Sequence, residues 1–181
     1  MIQATATFPA FANEGSLDVR KREAAAFLAN VQHETGGLYY IEEINKGDYT
    51  SWGDSNCQPA PGQRYFGRGP IQISWNYNYC AASIALFGNR ETLRTDPGRV
   101  ARESRVAWAT ALWFWMTQTG AGSMTSHNAM VQNRGFGETI RTINGSLECN
   151  GRNPGTVQTR INYYQSIISR LGGSAGGNLG C

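Results

Sequence analysis

The sequence of 181 residues lacks the signatures of several common protein classes. It has only 2 histidines and no HExxH pattern, and its 4 cysteines never form a CxxC pair, so no metal site is expected. No GxGxxG or GxxxxGK[ST] loop is present, and no cofactor is expected. No run of about 18 apolar residues occurs, so membrane insertion is not expected. The first residues also lack the charged and apolar regions of a signal peptide.

Charge is low and evenly spread along the chain. The 16 Lys and Arg against 13 Asp and Glu give a net charge of +3, with no basic stripe that could follow a phosphate backbone. Nucleic acid is therefore not an expected partner. Hydrophobic residues make up 40% of the chain and include 5 Trp, 8 Tyr and 7 Phe, enough for a core and for aromatic side chains in a binding cleft. The length fits a single domain over residues 1–181, since domains typically hold about 100–200 residues.

The 4 cysteines are widely separated, which favours two disulfides and an oxidising compartment. A Cys149–Cys181 bond would tie the last residue to the body of the chain, and such a closure typically contributes about 2–4 kcal/mol. Cys57 would then pair with Cys80 by exclusion. Spacing alone does not prove this pairing. The protein is expected to be secreted and extracellular.

Apolar spacing predicts a mainly helical fold. The first helix is expected to begin after an N-cap at Ser16 and to end before Gly36 and Gly37. Further helices are expected over residues 99–118, 126–132, 137–143 and 153–171, and a long loop over residues 46–69.

Two glutamates near the end of the first helix are candidates for chemistry. Glu34 follows Phe27 and Val31 at helical spacing, so it is expected on the apolar face, whereas Arg20 and Glu23 are expected on the solvated face. Partial burial raises the pKa of a carboxyl group, which suits a general acid.

Glu43 could face Glu34, because Gly36 and Gly37 allow the chain to reverse between them. Inverting glycosidases hold two carboxyl groups about 6.5–9.5 Å apart, with a water between them. The alternative is that Glu34 pairs with an arginine and that Glu43 is an ordinary exposed loop acid; periodicity alone favours this alternative.

Two long segments carry a family resemblance. AAAFLANVQHETGGLYYIEEIN (24–45) and RYFGRGPIQISWNYNY (64–79) resemble the catalytic segment and the signature motif of the family 19 chitinases. ALWFWMTQ, GFGETIRTINGSLECNG and GGNLGC are similar to bacterial members, so the resemblance covers nearly the whole chain. It implies a mainly α, lysozyme-like fold (α+β with minimal β), in which two helical lobes surround a substrate cleft.

The resemblance also implies a role for individual residues. Glu34 would protonate the glycosidic oxygen, Glu43 would activate the hydrolytic water, and Ser74 would help to hold that water. Arg160 and Glu148 would form a buried ion-pair system that tunes the proton affinity of Glu34. The residues expected to bind sugar are Tyr65, Gln72, Trp75, Tyr77, Asn78, Asn144 and Arg160.

Each role has a structural alternative. Without the motif, Ser74, Gln72 and Asn78 would be expected to bond only the loop backbone. Trp75 fits a sugar-stacking platform and a core residue equally well. His33 is expected to be a structural hydrogen-bonding residue rather than a ligand or a catalytic base.

The resulting hypothesis is a monomeric endochitinase that acts on chitin or chitooligosaccharides and has an antifungal role. A peptidoglycan-cleaving lysin is the nearest alternative because such proteins share the HETG segment, but NYNY and INGSLEC favour chitin. A catalytically silent chitin-binding protein is the second alternative. Such proteins usually lose an acidic residue, whereas this chain keeps both Glu34 and Glu43.

Overall fold

The computed structural model describes residues 1–181 and is almost entirely helical. Its only β-structure consists of the isolated antiparallel bridges Glu42–Arg68 and Arg68–Ile73. None of its helices is both long enough and apolar enough to cross a membrane. The helices are α1 (Ile2–Thr5), α2 (Leu17–Thr35), α3 (Asn76–Phe87), α4 (Glu91–Arg94), α5 (Arg99–Arg102), α6 (Ser104–Thr117), α7 (Ser126–Val131), α8 (Phe136–Glu148) and α9 (Pro154–Arg170).

The chain divides into two compact units. The first unit contains residues 1–7 and 34–114, and the second contains residues 8–33 and 115–181. The assignment of residues 1–181 to one domain stays a prediction. The core of the first unit is formed by side chains that include Tyr65, Phe66, Tyr79, Leu93, Val100 and Leu112, and that of the second by Phe27, Trp115, Phe136, Ile140, Tyr164 and Ile168.

The best-predicted helices are those with local capping signals. The Ser16 hydroxyl accepts a hydrogen bond from the Val19 backbone N–H at 3.3 Å, and α2 ends where Gly36 adopts a φ of 58°. The Asn153 side chain accepts from the Thr156 N–H at 3.2 Å at the start of α9. Each cap satisfies an N–H group that the helix itself leaves without a partner.

Other expected boundaries were wrong. The helix expected over residues 99–118 is interrupted at Glu103, whose ψ of 102° is extended, so that α5 and α6 are separate. The helix expected over residues 137–143 extends to Glu148 through a kink at Asn144, where φ is −145°. Helix α3 was not expected; it packs against α4, where the Ser83 hydroxyl accepts from the Leu93 N–H at 3.0 Å.

Glu23 does not lie on a solvated face, contrary to expectation. It is fully buried in the second unit, because it precedes Phe27 by four residues and shares the inward face of α2. Its carboxylate accepts from the Trp115 Nε1–H and the Ala12 N–H, each at 3.0 Å. The His127 Nδ1 atom lies 2.7 Å from the same carboxylate. These polar contacts compensate for the burial of a carboxylate.

One disulfide lies within each unit, with the pairing proposed from the sequence. Cys57 and Cys80 have Cα atoms 6.2 Å apart, and those of Cys149 and Cys181 are 5.0 Å apart. The C-terminal segment also packs on the start of α8, where the Gly137 N–H donates to the Asn178 carbonyl at 2.9 Å. A Cβ at Gly137 would collide with the Gly180 backbone, so this contact requires glycine.

Candidate active site

Glu34 lies in the last turn of α2 and is partly buried. The chain reverses directly after it. The Thr35 hydroxyl accepts from the Leu38 N–H at 2.7 Å, and the Thr35 carbonyl accepts from the Tyr40 N–H at 2.9 Å. This turn follows the acid and begins the segment that carries Glu43.

A short, irregular ladder fixes the backbone on both sides of Glu43. The Glu43 N–H donates to the Gly67 carbonyl at 2.8 Å, and the Gly69 N–H donates to the Ile41 carbonyl at 2.9 Å. Arg68 and Ile73 exchange backbone hydrogen bonds at 3.2 and 3.1 Å, which adds a third segment. The candidate base therefore lies on a segment paired with the signature motif, whose residues 64–69 were expected to be loop.

The Glu43 carboxylate is held at both oxygens. Oε1 accepts from the Tyr49 hydroxyl at 2.6 Å, and Oε2 accepts from the Gly67 N–H at 2.9 Å. The hydrogen bond to Glu43, with burial and the negative charge of Glu43 as further causes, raises the pKa of Tyr49 to about 12. The Tyr49 hydroxyl therefore keeps its proton, and can donate a hydrogen bond, across the pH range in which enzymes usually operate.

The neighbouring Glu42 faces different partners. It lies 2.6 Å from Lys46 Nζ and 3.3 Å from Arg68 Nε. The hydrogen bond from Lys46 is the main cause that lowers the pKa of Glu42, and Arg68 adds to it against the opposing effect of burial. Two adjacent glutamates thus have distinct roles, with Glu42 in an ion-pair network and Glu43 held by neutral donors.

The motif residues 72–78 combine backbone contacts with exposed aromatic surface. The Gln72 Nε2 donates to the Gly69 carbonyl at 2.9 Å, and the Asn78 Nδ2 donates to the Ser74 carbonyl at 2.9 Å. Trp75 is 38% exposed and its ring stacks on that of Tyr77, with centroids 6.1 Å apart. The alternative of a core residue is therefore wrong for Trp75.

Tyr65 was expected to line the sugar-binding site, and the structure contradicts this. Its side chain is fully buried, and its hydroxyl donates to the Arg94 carbonyl at 2.8 Å and accepts from the Ala60 N–H at 2.9 Å. With the ring enclosed and the hydroxyl bonded to backbone, Tyr65 supports the fold of the motif instead.

The second unit contains the expected buried ion pair. The Arg160 guanidinium makes a bidentate contact with Glu148, with Nε–Oε2 at 2.8 Å and Nη2–Oε1 at 2.7 Å. The Asn144 Nδ2 donates to Glu148 Oε1 at 2.7 Å, and Arg160 Nη1 donates to Asn30 Oδ1 at 3.0 Å. Burial by itself raises the pKa of Glu148, but the hydrogen bonds and positive charge of Arg160 outweigh it and lower the pKa.

His33 lies near this pair within the second unit. Burial first, and then the positive charge of Arg160, lower its pKa to about 4, against the opposing influence of Glu148. The imidazole is neutral at neutral pH. No group of three or more His, Cys, Asp and Glu side chains is arranged to hold a metal ion.

Sequence reasoning missed Tyr49 and Gly67, which hold the Glu43 carboxylate, and Asn30, which contacts Arg160. Tyr49 lies in a segment expected to be loop, and Gly67 acts through its backbone, so neither has a periodic signal. Asn30 shares the buried face of α2, but its contact with Arg160 spans 130 residues of sequence. Only the resemblance to the family motif marked residues 64–79 as part of a candidate site.

The comparisons agree with the fold and the motif. The family profile described as "Chitinase class I" matches residues 1–181, so the chain belongs to glycoside hydrolase family 19. The expected mainly helical fold with minimal β-structure is confirmed.

Individual relatives include plant and bacterial proteins. Chitinase 4 of Oryza sativa subsp. japonica is 46% identical over 184 residues, which cover 99% of this chain and 60% of that protein. Chitinase C from Streptomyces griseus HUT6037 is 54% identical with a TM-score of 0.93, covering 99% of this chain and 86% of that one. The class IV chitinase from Zea mays is 44% identical with a TM-score of 0.87, covering 99% and 83%. The chain spans about 60% of the length of the first curated relatives.

Proposed function

We propose that this chain is an inverting endochitinase that hydrolyses the β-1,4 linkages between N-acetylglucosamine units of chitin and chitooligosaccharides. The observation that carries the proposal is the family match over residues 1–181 in a chain that keeps both Glu34 and Glu43. Relatives described as endochitinases support the same activity, among them Endochitinase A of Zea mays, which is 45% identical over 181 residues.

In the proposed reaction, the two glutamates exchange protons with different partners. Glu34 donates a proton to the glycosidic oxygen while the bond to the anomeric carbon breaks. Glu43 takes a proton from a water molecule whose oxygen attacks the anomeric carbon from the opposite face. The local contacts support this division, because Glu43 accepts two hydrogen bonds as an ionised carboxylate does, while Glu34 is partly buried at the end of a helix.

Sugar binding is proposed for residues 72–78 of the motif. The exposed rings of Trp75 and Tyr77 suit the apolar face of a pyranose. Gln72 and Asn78 direct their amide nitrogens to backbone carbonyls, so their amide oxygens are the groups left to accept from sugar hydroxyl or acetamido N–H groups. Ser74, which is partly exposed, is proposed to hold the hydrolytic water. The substrate and tuning roles of Asn144, Glu148 and Arg160 stay predictions.

The protein is also proposed to be secreted and to act as a monomer. The two disulfides support an oxidising compartment. Size-exclusion chromatography with light scattering would test the oligomeric state, and a particle with twice the mass of the chain would contradict the monomer.

The direct test measures hydrolysis of N-acetylglucosamine hexamers by the wild type and by glutamate variants. Glu34→Gln and Glu43→Gln are each expected to lower kcat by about 10²–10⁴-fold, since each removes a group that transfers a proton. Glu42→Gln is the matched control, because it changes the adjacent glutamate, whose partners are Lys46 and Arg68. Loss of activity in all three variants, or in none, would contradict the assignment.

A second measurement tests substrate and stereochemistry. NMR of the first products should show the α-anomer, because a water that attacks from the far side inverts a β-linkage. A β-product would require a covalent or substrate-assisted route and would exclude Glu43 as a simple base. Clearing of bacterial cell walls without release of chitooligosaccharides would instead support the peptidoglycan-cleaving alternative.

A further inference from the structure

We infer that Tyr49 is a positioning residue for the catalytic base, fixing the Glu43 carboxylate so that it presents a set orientation to the hydrolytic water. The inference rests on the proposed function and extends it to a residue outside the family motif segments.

The first support is the two-point contact with the carboxylate. Tyr49 and the Gly67 N–H bind different oxygens of Glu43, at 2.6 and 2.9 Å. One contact would leave the carboxylate free to rotate about its last torsion, whereas two contacts on different oxygens fix its plane. Each carboxylate oxygen has two acceptor positions, so a water can still approach.

The second support is that Tyr49 is itself held. Its ring lies edge-on to the Trp75 ring, with centroids 5.4 Å apart at 82°. Its carbonyl accepts from the Asn76 N–H at 3.3 Å. Its φ of 49° is in the left-handed region, which non-glycine residues rarely adopt and which is typical of residues constrained by their surroundings.

The third support is the anchoring of the segment that carries Tyr49. Asn76 is fully buried, and its side chain accepts from the Ser51 N–H at 2.7 Å and donates to the Ser51 carbonyl at 2.9 Å and the Cys57 carbonyl at 2.6 Å. The Cys57–Cys80 disulfide joins the same segment to α3. The position of the Tyr49 hydroxyl is therefore set by covalent and buried polar contacts rather than by a mobile loop.

The test is Tyr49→Phe, which removes the hydroxyl and keeps the ring that packs on Trp75. We expect kcat on hexamers to fall by about tenfold or more with KM changed less than about twofold, because misorientation of a catalytic group affects the chemical step. The pH profile of kcat should also change, because it reports the groups that transfer protons in the enzyme–substrate complex. Replacement of Tyr49 by 3-fluorotyrosine, which keeps the donor, should restore kcat.

The matched control is Tyr164→Phe in the second unit, which also removes a tyrosine hydroxyl bonded at 2.8 Å, here to the Ala175 carbonyl. It should lower stability without moving the pH profile. If Tyr49→Phe keeps kcat and the pH profile, or loses activity only in proportion to its unfolded fraction, the inference is wrong.

A measurement independent of activity separates this inference from the proposed function. A crystal structure of Tyr49→Phe should show the Glu43 carboxylate in a different or less ordered orientation than in the wild type, because only the Gly67 N–H would still hold it. An inactive wild type would refute the proposed function, whereas an unchanged orientation of the Glu43 carboxylate in Tyr49→Phe would refute the positioning role.

Discussion

Glu43 in the first unit and Glu23 in the second unit are held by similar kinds of group. Each carboxylate accepts one hydrogen bond from an aromatic side chain, Tyr49 or Trp115, and one from a backbone N–H. Glu23 has one further contact, with His127 Nδ1 at 2.7 Å. The larger difference is burial, because Glu23 has no exposed surface whereas Glu43 is partly exposed. Donors alone therefore do not distinguish the buried Glu23 from Glu43, the proposed base. Access to water does, since a general base must reach the proton that it removes.

The comparison predicts the largest loss of stability at Glu23. Glu23→Gln replaces an acceptor of three polar contacts by a group with one fewer acceptor oxygen, inside a site that water cannot reach. Breaking buried charged networks typically costs about 3–5 kcal/mol, and we expect an effect of this order on the free energy of unfolding. Chemical denaturation monitored by tryptophan fluorescence would measure it.

The control for this change is Glu14→Gln. Glu14 is the other carboxylate beside His127, at 3.4 Å from Nε2, but its side chain is 50% exposed. Exposed ion pairs contribute at most about 1 kcal/mol, so Glu14→Gln should have little effect. Equal effects of the two substitutions would show that burial is not the decisive difference.

A smaller loss of stability is expected from a change at Gly67, whose N–H binds the Glu43 carboxylate. A Cβ at this position would lie 3.0 Å from Gln72 Oε1 and 3.3 Å from Gln72 Cβ, so Gly67→Ala must displace the Gln72 side chain. Overpacking of this kind typically costs about 1–3 kcal/mol. Because the Gly67 N–H also binds Glu43, kcat should fall by several-fold beyond any loss of folded protein.

Gly53→Ala is the matched control for Gly67→Ala. Gly53 lies in the same unit, and the nearest atom to its added Cβ would be Ser51 Oγ at 3.9 Å, an ordinary contact distance. Hydrolysis assays and thermal unfolding on both variants would separate the two effects. Normal kcat in Gly67→Ala would mean that the Glu43 contact tolerates a shift of this loop.

The sequence predicted best what local interactions determine. The starts of α2 and α9 follow from the N-caps at Ser16 and Asn153, whose side chains accept hydrogen bonds from residues three positions later. The spacing also indicates the burial of Glu23, because Glu23 lies four residues before the buried Phe27 and so on the same face of α2. The charge of Glu23 suggests exposure, but the periodicity of α2 decides its position.

Long-range contacts explain the remaining differences. Tyr65 is enclosed because its hydroxyl reaches the Arg94 carbonyl, 29 residues away, and no periodic pattern indicates such a contact. Helix α3 begins with Asn and Tyr, which have modest helix propensity, directly after Trp75 at a φ of 72°. The motif correctly marked this region, but its tertiary contacts decide which side chains are exposed.

The last predicted effect concerns the two histidines of the second unit, whose contributions to stability should respond to pH in opposite directions. The hydrogen bond to Glu23 is the main cause that raises the pKa of His127 above 6.5, against burial and with help from the charges of Glu23 and Glu14. Its contribution to stability is therefore complete below about pH 6.5 and is lost as the pH rises through the folded-state value.

The pKa of His33 shifts in the opposite direction, because it falls from 6.5 to about 4 on folding. The unfolded chain binds the proton more tightly, so the contribution of His33 is complete above about pH 6.5 and is lost as the pH falls toward 4. The stability deficit of His127→Asn relative to wild type should therefore grow on acidification from about pH 9 to 6, since the imidazolium then faces Glu23. The difference between wild type and His33→Gln should change the other way between about pH 7 and 4, measured by urea unfolding at each pH. If the stability differences of the two variants change with pH in the same direction, the contacts of one histidine are not those described. The variant whose difference changes in the unexpected direction identifies that histidine.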